Sequence, residues 1–440
     1  MITYIEIDGF KSFRNFKTYL RPFQVIVGGN GVGKSNLFDA ILLLSHLAQG
    51  QTVVAAFQQG RGEVQELFTL SADGSYGTRM RFVVELLIDA TVQDNFANLA
   101  EVSNTRLRYE LELERRKEGL FERLYVVYED LSPLSQAEDS YVSEWIVRST
   151  GPKRSYISTQ DGEFIVSQDK RQGRKMRTPN KSAQQTVLST FNTTDYPTAF
   201  AARQEMLNWQ YLQLNPSVLN QACSMRLPAV QLLSDGANLP LILHRLEVSQ
   251  KNALTDISRR FAYLVPGFLD VWAEANPDRQ QMLIKARTVG GEIFSAGVLS
   301  EGSLRILALT VLVTDWQHHG LLCFEEPENG IKPGKLKDFM ALLQELASDL
   351  QGAPLAESRL RQIIINSHSP EVVAYTSPEN ILYAYMTKND PRTLMIPIEK
   401  PASNKHEEGE AELRHYSRQQ VIAYLQQSQA ERQSLLESLQ

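Results

Sequence analysis

A glycine-rich octet constrains this chain more than any other feature. Gly28-Gly29-Asn30-Gly31-Val32-Gly33-Lys34-Ser35 fits G-x-x-x-x-G-K-[ST] in full. It follows the apolar run Phe23 to Val27, which reads as a buried strand. It precedes Ser35 to His46, which reads as a helix with apolar positions over much of its surface. Strand, glycine loop and helix in that order make an anion cradle, because the glycines let backbone N–H groups turn toward phosphates at a helix N-terminus. Lys34 then reaches the outer phosphates, and the Ser35 hydroxyl can ligate Mg2+. Chance produces such an octet in about one or two chains of this length per hundred, and the placement between strand and helix lowers that further. Gly28 to Ser35, with the adjoining Asn36, are the expected ATP contacts.

Three later motifs carry the remaining chemistry. Leu321-Leu322-Cys323-Phe324-Glu325-Glu326-Pro327 is an apolar strand ending in two acids. Beside a P-loop, Glu325 would face the metal and Glu326 the attacking water; in isolation the pair could equally close a strand on its solvent side. Leu299-Ser300-Glu301-Gly302-Ser303-Leu304-Arg305 opens a long helix, where a hydroxyl, a glycine and free N–H groups could grip an anion or simply cap the helix. Ile363 to Pro370 is a buried strand that delivers His368 to its C-terminal end, where open α/β sheets place ligands. A lone histidine is usually structural, but after the acidic strand this one suits a contact to the γ-phosphate and the water.

Between these motifs the pattern changes twice. From Arg81 to about Ser167 come runs of strand character: Arg81 to Ile88, Leu107 to Leu113, Leu124 to Tyr128, Trp145 to Val147 and Tyr156 to Ser158. Lys170 to Lys181 holds six basic residues (Lys170, Arg171, Arg174, Lys175, Arg177, Lys181) and no acid, broken by Gly173 and Pro179, and reads as a loop. Helices are predicted at Ala201 to Tyr211, Leu239 to Leu246 and Ala253 to Leu264, then at Gly302 to His318 and Lys335 to Asp349.

The order of these elements resembles the ABC-type ATPases of the RecF and SMC kind. Ile7-Asp8-Gly9-Phe10-Lys11-Ser12-Phe13 looks like that group's first strand and turn, and Leu299 to Ser303 like its signature motif. Glu325 to Pro333 resembles its E-E-P-E-N-G-x-x-P form of Walker B and D-loop, and His368 its switch histidine. Leu233 to Leu239 is similar to stand-alone AAA family ATPases of this group, related to OLD-family ATPases. The resemblance implies an α/β fold: an ABC-type P-loop NTPase core with an antiparallel β region and an inserted, mainly helical lobe. It implies ATP and Mg2+ as cofactors, Lys34, Glu326 and His368 as catalytic residues, and Ser35 and Glu325 as metal ligands. It also implies a homodimer that sandwiches ATP, with Ser300, Gly302 and Ser303 acting on the partner's nucleotide; a higher oligomer stays open. Two positions depart from the group's commonest pattern: Glu325 stands where Asp is frequent and Lys332 where His is frequent. For the Q-loop glutamine, Gln58, Gln59 and Gln65 are all candidates.

The expected division is residues 1–168 for the N-terminal half of the core with the antiparallel region, 169–290 for the basic loop and helical lobe, 291–400 for the C-terminal half, and 401–440 for a polar helical tail. A toprim nuclease domain, which OLD-type proteins carry, is not expected after His368, where no Asp-x-Asp cluster occurs. Any DNA cleavage would then belong to a separate effector protein. The chain's net charge of −6 gives no general attraction to nucleic acid, so DNA contact would rest on a local patch such as the basic run. The longest apolar stretch, near Ile306 to Val313, is far short of the roughly 20 residues of a membrane span. With two distant cysteines and no secretory start, a cytoplasmic protein without membrane partners is expected. Three classes of role follow: a DNA-associated switch in defence or repair, an ATPase that holds and releases a protein partner, and a transporter ATPase subunit, the last disfavoured by the Glu-Glu-Pro-Glu-Asn motif.

Overall fold

The computed structural model describes residues 1–134, 149–151, 153–169, 175–350, 360–386, 391–398 and 416–427. Its central layer is a six-stranded sheet in the order Gln210–Leu212, Gly320–Glu325, Arg361–Ser367, Phe23–Val27, Ile381–Met386 and Thr393–Pro397; the first five run parallel and the last is antiparallel. The middle strands are continuous apolar runs because both faces are covered. Ile26, Leu321, Cys323 and Ile364 face one core, with Leu37, Phe38 and Ile41 of the helix Lys34–Ala48. Their neighbours Val25, Val27, Leu322, Phe324, Ile363 and Ile365 face the other, with the helices Glu301–Thr314 and Pro333–Glu345. The period-2 alternation of strands thus divides the molecule into two cores that share one sheet.

The first core is closed by an eight-stranded antiparallel sheet. Its order is Lys175–Pro179, Glu163–Ser167, Ile157–Gln160, Phe121–Pro133, Arg106–Glu118, Arg79–Leu87, Ile2–Asp8 and Phe16–Tyr19. Leu107, Tyr109, Leu111 and Leu113 point inward, while Arg108 and Glu110 lie on the wetter face. There opposite charges meet across strands: Arg81 Nε donates to Glu110 Oε1 at 2.8 Å and Arg108 Nη1 to Glu85 Oε1 at 3.1 Å, pairs worth about 0.2–1 kcal/mol each. The expected loop over the basic run is corrected in its described part. Lys175–Pro179 is a fully exposed edge strand paired with Glu163–Ser167; its charges suit an edge that must not recruit another strand. The Trp145 to Val147 run, with Lys170, Arg171 and Arg174, lies outside the described residues.

One buried acid sits where this sheet meets the segment leading into the middle region. Glu129 is wholly buried and accepts from Val187 N at 2.6 Å, Leu188 N at 2.8 Å and Tyr109 Oη at 3.0 Å. Burial outweighs these donors and pushes its carboxyl up to about 7. A folded-state pKa above the unfolded value gives stability that is complete at low pH and is lost as pH rises through about 7. Glu129→Gln cannot ionise, so the stability of wild type relative to this variant is expected to fall between about pH 5 and 8, read as urea midpoints at several pH values.

In the middle region, the helices Leu239–Ser249 and Ala253–Leu264 form as expected, but they rest on a sheet that periodicity did not reveal. Phe268–Asn276 and Gln281–Thr288 make its hairpin, joined by Cys223–Ser224 and Ile293–Ser295. The helix expected at Ala201 to Tyr211 runs instead over Pro197–Leu207, with proline at its first turn; Tyr211 belongs to the parallel edge strand. Residues 418–427 of the tail are helical, burying Val421 and Leu425 and setting Tyr424 against Tyr383. No helix of the described residues is long and apolar enough to cross a membrane. The architecture is α/β: a mainly parallel sheet that carries the P-loop, covered by helices, with an antiparallel β region.

Candidate functional site

The P-loop leaves the Phe23–Val27 strand at Gly28, where a Cβ would lie 2.3 Å from the Ala384 carbonyl oxygen. Gly33 has φ +92°, and a Cβ there would meet Thr393 Oγ1 at 2.1 Å, so only glycine fits. The loop is braced from behind. Asn36 Nδ2 donates to Ser12 Oγ at 2.8 Å, Ser12 Oγ lies 2.6 Å from Thr393 Oγ1, and Thr393 Oγ1 donates to Val32 O at 2.8 Å. Asn36 therefore supports the loop from its outer side. Lys34 is buried, and its ammonium donates to Gly28 O at 2.9 Å and Gly29 O at 2.7 Å, inside the loop.

The parallel register brings the acidic strand to this loop. Ser35 Oγ donates to Glu325 Oε1 at 2.5 Å, and Asn366 Nδ2 reaches the same carboxylate oxygen at 3.3 Å. The Tyr211 hydroxyl donates to Glu325 Oε2. Glu325 is thus held on three sides by neutral donors, with the hydroxyl expected to share a metal with it among them. Among the described residues no group of three or more His, Cys, Asp and Glu could hold a metal. A single carboxylate and a hydroxyl at a phosphate cradle nevertheless fit Mg2+, which keeps several waters and takes phosphate oxygens as ligands. The cradle that Cβ atoms would fill, with Lys34 inside it, fits the nucleotide phosphates.

Glu326 lies one residue beyond, at φ +42°, a left-handed conformation that costs a non-glycine residue about 1–3 kcal/mol. Its N–H donates to Asn366 Oδ1 at 3.0 Å. His368 Nδ1 sits 2.8 Å from Glu326 Oε1, and Asn329 Nδ2 donates to Oε2 at 2.8 Å. The hydrogen bond from His368 holds the Glu326 carboxyl down to about 2, and the bond to Glu326 raises the imidazole in turn. The two shifts describe one ion pair. Behind it Glu328 accepts from the Ser367 hydroxyl and is pushed up by burial.

Ser300, Gly302 and Ser303 stand apart from this cluster. Ser300 caps the helix Glu301–Thr314 by accepting from Ser303 N at 3.2 Å, and the two hydroxyls lie 2.8 Å apart. A Cβ on Gly302 would come within 2.3 Å of the Gly330 carbonyl oxygen, so the start of this helix packs directly on the loop that follows the acids. Among the described residues, the side chains of Ser300 and Ser303 make no hydrogen bond to the P-loop or to Glu325 and Glu326.

Sequence reasoning missed three residues of the cluster. Asn366 lay inside a quoted motif but was not singled out, and Tyr211 was assigned to a helix. Gln213 follows the Gln210–Leu212 strand, whose Leu212 pairs with Phe324, and its Oε1 lies 3.2 Å from the Tyr211 hydroxyl. Of the three glutamines considered, Gln59 bonds to Gln51 and Gln65 to Glu63, while Gln58 ends the short helix Val53–Gln58. None of these three makes a hydrogen bond to Glu325, whereas Gln213 shares Tyr211 with it. Arg61 is a further neighbour: its Nε donates to Asp39 at 2.9 Å and its Nη2 to Ser35 O at 3.4 Å.

A family model described as "AAA domain, putative AbiEii toxin, Type IV TA system" matches residues 23–143 and 232–374. No curated protein matches the chain. Among solved structures it is similar to an SMC head bound to the C-winged helix domain of ScpA, at 14% identity over 90% of this chain and 97% of that one, with a TM-score of 0.47. It is also similar to the SMC head domain from Thermotoga maritima, at 13% identity over 91% and 99%, TM-score 0.41. A third is the Smc head domain with an extended coiled coil bound to the C-terminal domain of ScpA, derived from Pyrococcus furiosus, at 14% identity over 90% and 96%, TM-score 0.44.

Proposed function

The chain belongs to the AAA-domain family just described, and from that premise we propose that it binds ATP with Mg2+, hydrolyses it, and works as a two-fold dimer that closes over nucleotide. The observation that carries this reading is the meeting of Ser35, Glu325 and Asn366 beside Lys34, with Glu326 and His368 paired at the next strand ends. Ser35 and Glu325 would hold the metal, which when bound supplies positive charge to the transferring phosphoryl group. Lys34 adds a fixed charge at the outer phosphates. Glu326 orients the attacking water and takes its proton. A carboxyl held at about 2 is a weak base, so His368 must first release it, and a γ-phosphate is a suitable new partner for a cationic imidazole. Gln213 and Tyr211 steady Glu325 from the sheet edge.

The same layout supports the dimer: Ser300 and Gly302 sit at a helix start, a geometry suited to an anion, and the Ser300 side chain makes no hydrogen bond to its own P-loop among the described residues. Purified protein is expected to release phosphate from ATP only with Mg2+, to stop in excess EDTA, and to elute earlier in sizing when ATP is present. Elution indifferent to nucleotide would remove the dimer from this reading.

For what the switch drives, we favour DNA-related defence or repair, with the chain as sensor or scaffold for a separate effector; a family label that names a TA system supports the defence side. Lys175 and Arg177 on the exposed edge strand, with Lys181 close by, are the described members of the basic run that could meet a phosphate backbone, Arg177 exchanging its Glu163 partner at 3.3 Å to do so. Neutralising these three is expected to flatten the slope of log affinity for DNA against log salt by up to about three units. A slope that does not move would favour the second reading, an ATPase that sequesters and releases a protein partner without DNA.

A further inference from the structure

The acidic end of the Gly320–Glu325 strand opens into a cavity of about 480 Å³. Glu325 and Glu326 form one wall, and no P-loop residue is among those lining it. A water occupies about 30 Å³, so the space is far larger than an attacking water needs. The remaining wall is mixed: Tyr211, Leu214 and Pro216 contribute to it, and its other polar side chains are Gln213, Asn215, Ser234, Asp235, Arg305 and Asn329.

This wall is built, not incidental. Gln213 N donates to Ser234 O at 2.8 Å and Asn215 N to Asp235 O at 3.1 Å, which ties the end of the edge strand to the Ser234-Asp235 turn. Asp235 Oδ1 accepts from Ala237 N at 2.9 Å. Asn238, wholly buried, accepts from Leu233 N at 2.9 Å and donates to Pro228 O and Gln231 O at 2.7 Å each. Gly236 holds φ +83°, and a Cβ there would strike the Leu219 side chain at 2.5 Å. The Leu233 to Leu239 motif, which the nucleotide contacts leave unexplained, is therefore a rigid mount for Asp235.

Opposite stands Arg305, on the helix that Ser300 caps. Among the described residues it makes no hydrogen bond or ion pair, and its Nε is buried without a partner. The residue as a whole is half-buried, and a guanidinium cannot escape burial by losing its proton. The charges of Glu301, Glu328 and Glu326 favour its cationic form without any of them bonding to it, so its N–H donors are left for an anion that enters the cavity it lines.

We infer that this cavity receives the inorganic phosphate generated by hydrolysis, with Arg305 as its cationic donor and Asp235 as the acceptor for the phosphate's own proton. The inference rests on the ATPase reading. Water attack forms a P–O bond to the γ-phosphorus and breaks the bond to the β–γ bridging oxygen, leaving ADP and a free phosphate that carries one or two protons near neutral pH. The γ-phosphoryl group of Mg-ATP offers no such proton, so Asp235 repels the reactant and accepts a hydrogen bond from the product. Gln213, Asn215, Ser234 and Asn329 complete the shell with neutral groups. The same logic excludes sulfate, which has the shape of phosphate and no proton at pH 7.

Equilibrium binding of inorganic phosphate to protein saturated with Mg-ADP, followed by calorimetry, tests this without turnover. Wild type is expected to bind phosphate at least about tenfold more tightly than sulfate. Arg305→Gln should weaken phosphate by about tenfold or more, and Asp235→Asn should bring the two anions to near parity, both with Mg-ADP affinity unchanged. Equal affinity of wild type for the two anions, or phosphate affinity unmoved by Arg305→Gln, overturns the site. Should Arg305→Gln fail to bind Mg-ADP, the anion preference of Asp235→Asn decides. Absence of Mg-ADP binding to wild type counts against the nucleotide reading itself, whereas Mg-ADP binding without anion preference counts against this site alone.

Discussion

Glu326→Gln is expected to lower steady-state ATP hydrolysis by about 100-fold or more while leaving ATP binding intact, and to accumulate a dimer in ATP that survives sizing. The amide keeps the shape and the contact to Asn329 but cannot take a proton from water. On the proposed sandwich, ATP that is bound and not consumed keeps the interface closed, because the dimer equilibrium would follow the nucleotide that bridges it. A variant that elutes like the apo wild type in ATP would defeat the sandwich. The same substitution has a second signature without nucleotide. Glu326 is depressed and His368 raised in the fold, so their pairing contributes fully between about pH 4.5 and 6.5 and weakens as pH falls toward 2 or rises through the imidazole's raised value. Thermal midpoints of Glu326→Gln should lack that rise and fall.

The second large effect comes from mixing two inactive proteins. Lys34→Ala removes the charge inside the P-loop, and Ser300→Arg blocks the helix start that would reach the partner's nucleotide; each homodimer is expected to be almost inactive. Random mixing makes half of the dimers mixed, and each of these joins one intact P-loop to one intact helix start. Activity should therefore return to about one quarter of wild type if the two sites turn over independently. A mixture as inactive as its components would mean that Ser300 acts within its own chain or not at all.

What the sequence made legible was what is contiguous in it. The P-loop, Glu325-Glu326 and His368 each end a strand whose apolar run marks it as buried, so motif and element support one another. Tyr211, and Gln213 just after it, escaped notice because the strand that places them, Gln210–Leu212, is only three residues long and is defined by pairing with Gly320–Glu325 far along the chain. The hairpin Phe268–Asn276 and Gln281–Thr288 escaped for a related reason. Its outer face carries Asp270 and Glu274 against Arg287 and Lys285, which reads as helix-like charge spacing until the cross-strand pairs are seen. Lys175–Pro179 has no buried residue at all, so nothing but its partner strand marks it as a strand. Arg305 was quoted as part of the helix start, yet its place in one cavity wall with Glu325 and Glu326 is a matter of tertiary packing, such as the close approach of Gly302 to Gly330, which spacing alone does not encode.

The strand that carries the P-loop also has a schedule. Its two neighbours, Arg361–Ser367 and Ile381–Met386, are made hundreds of residues after it. Pairing so distant in sequence is slow to form, and on the ribosome it cannot begin until most of the chain has emerged. Glu325 and His368 reach Lys34 only at that moment. A growing chain therefore carries the glycine loop long before the strands that flank it exist, and on the proposed reading the means to use nucleotide come only with those strands.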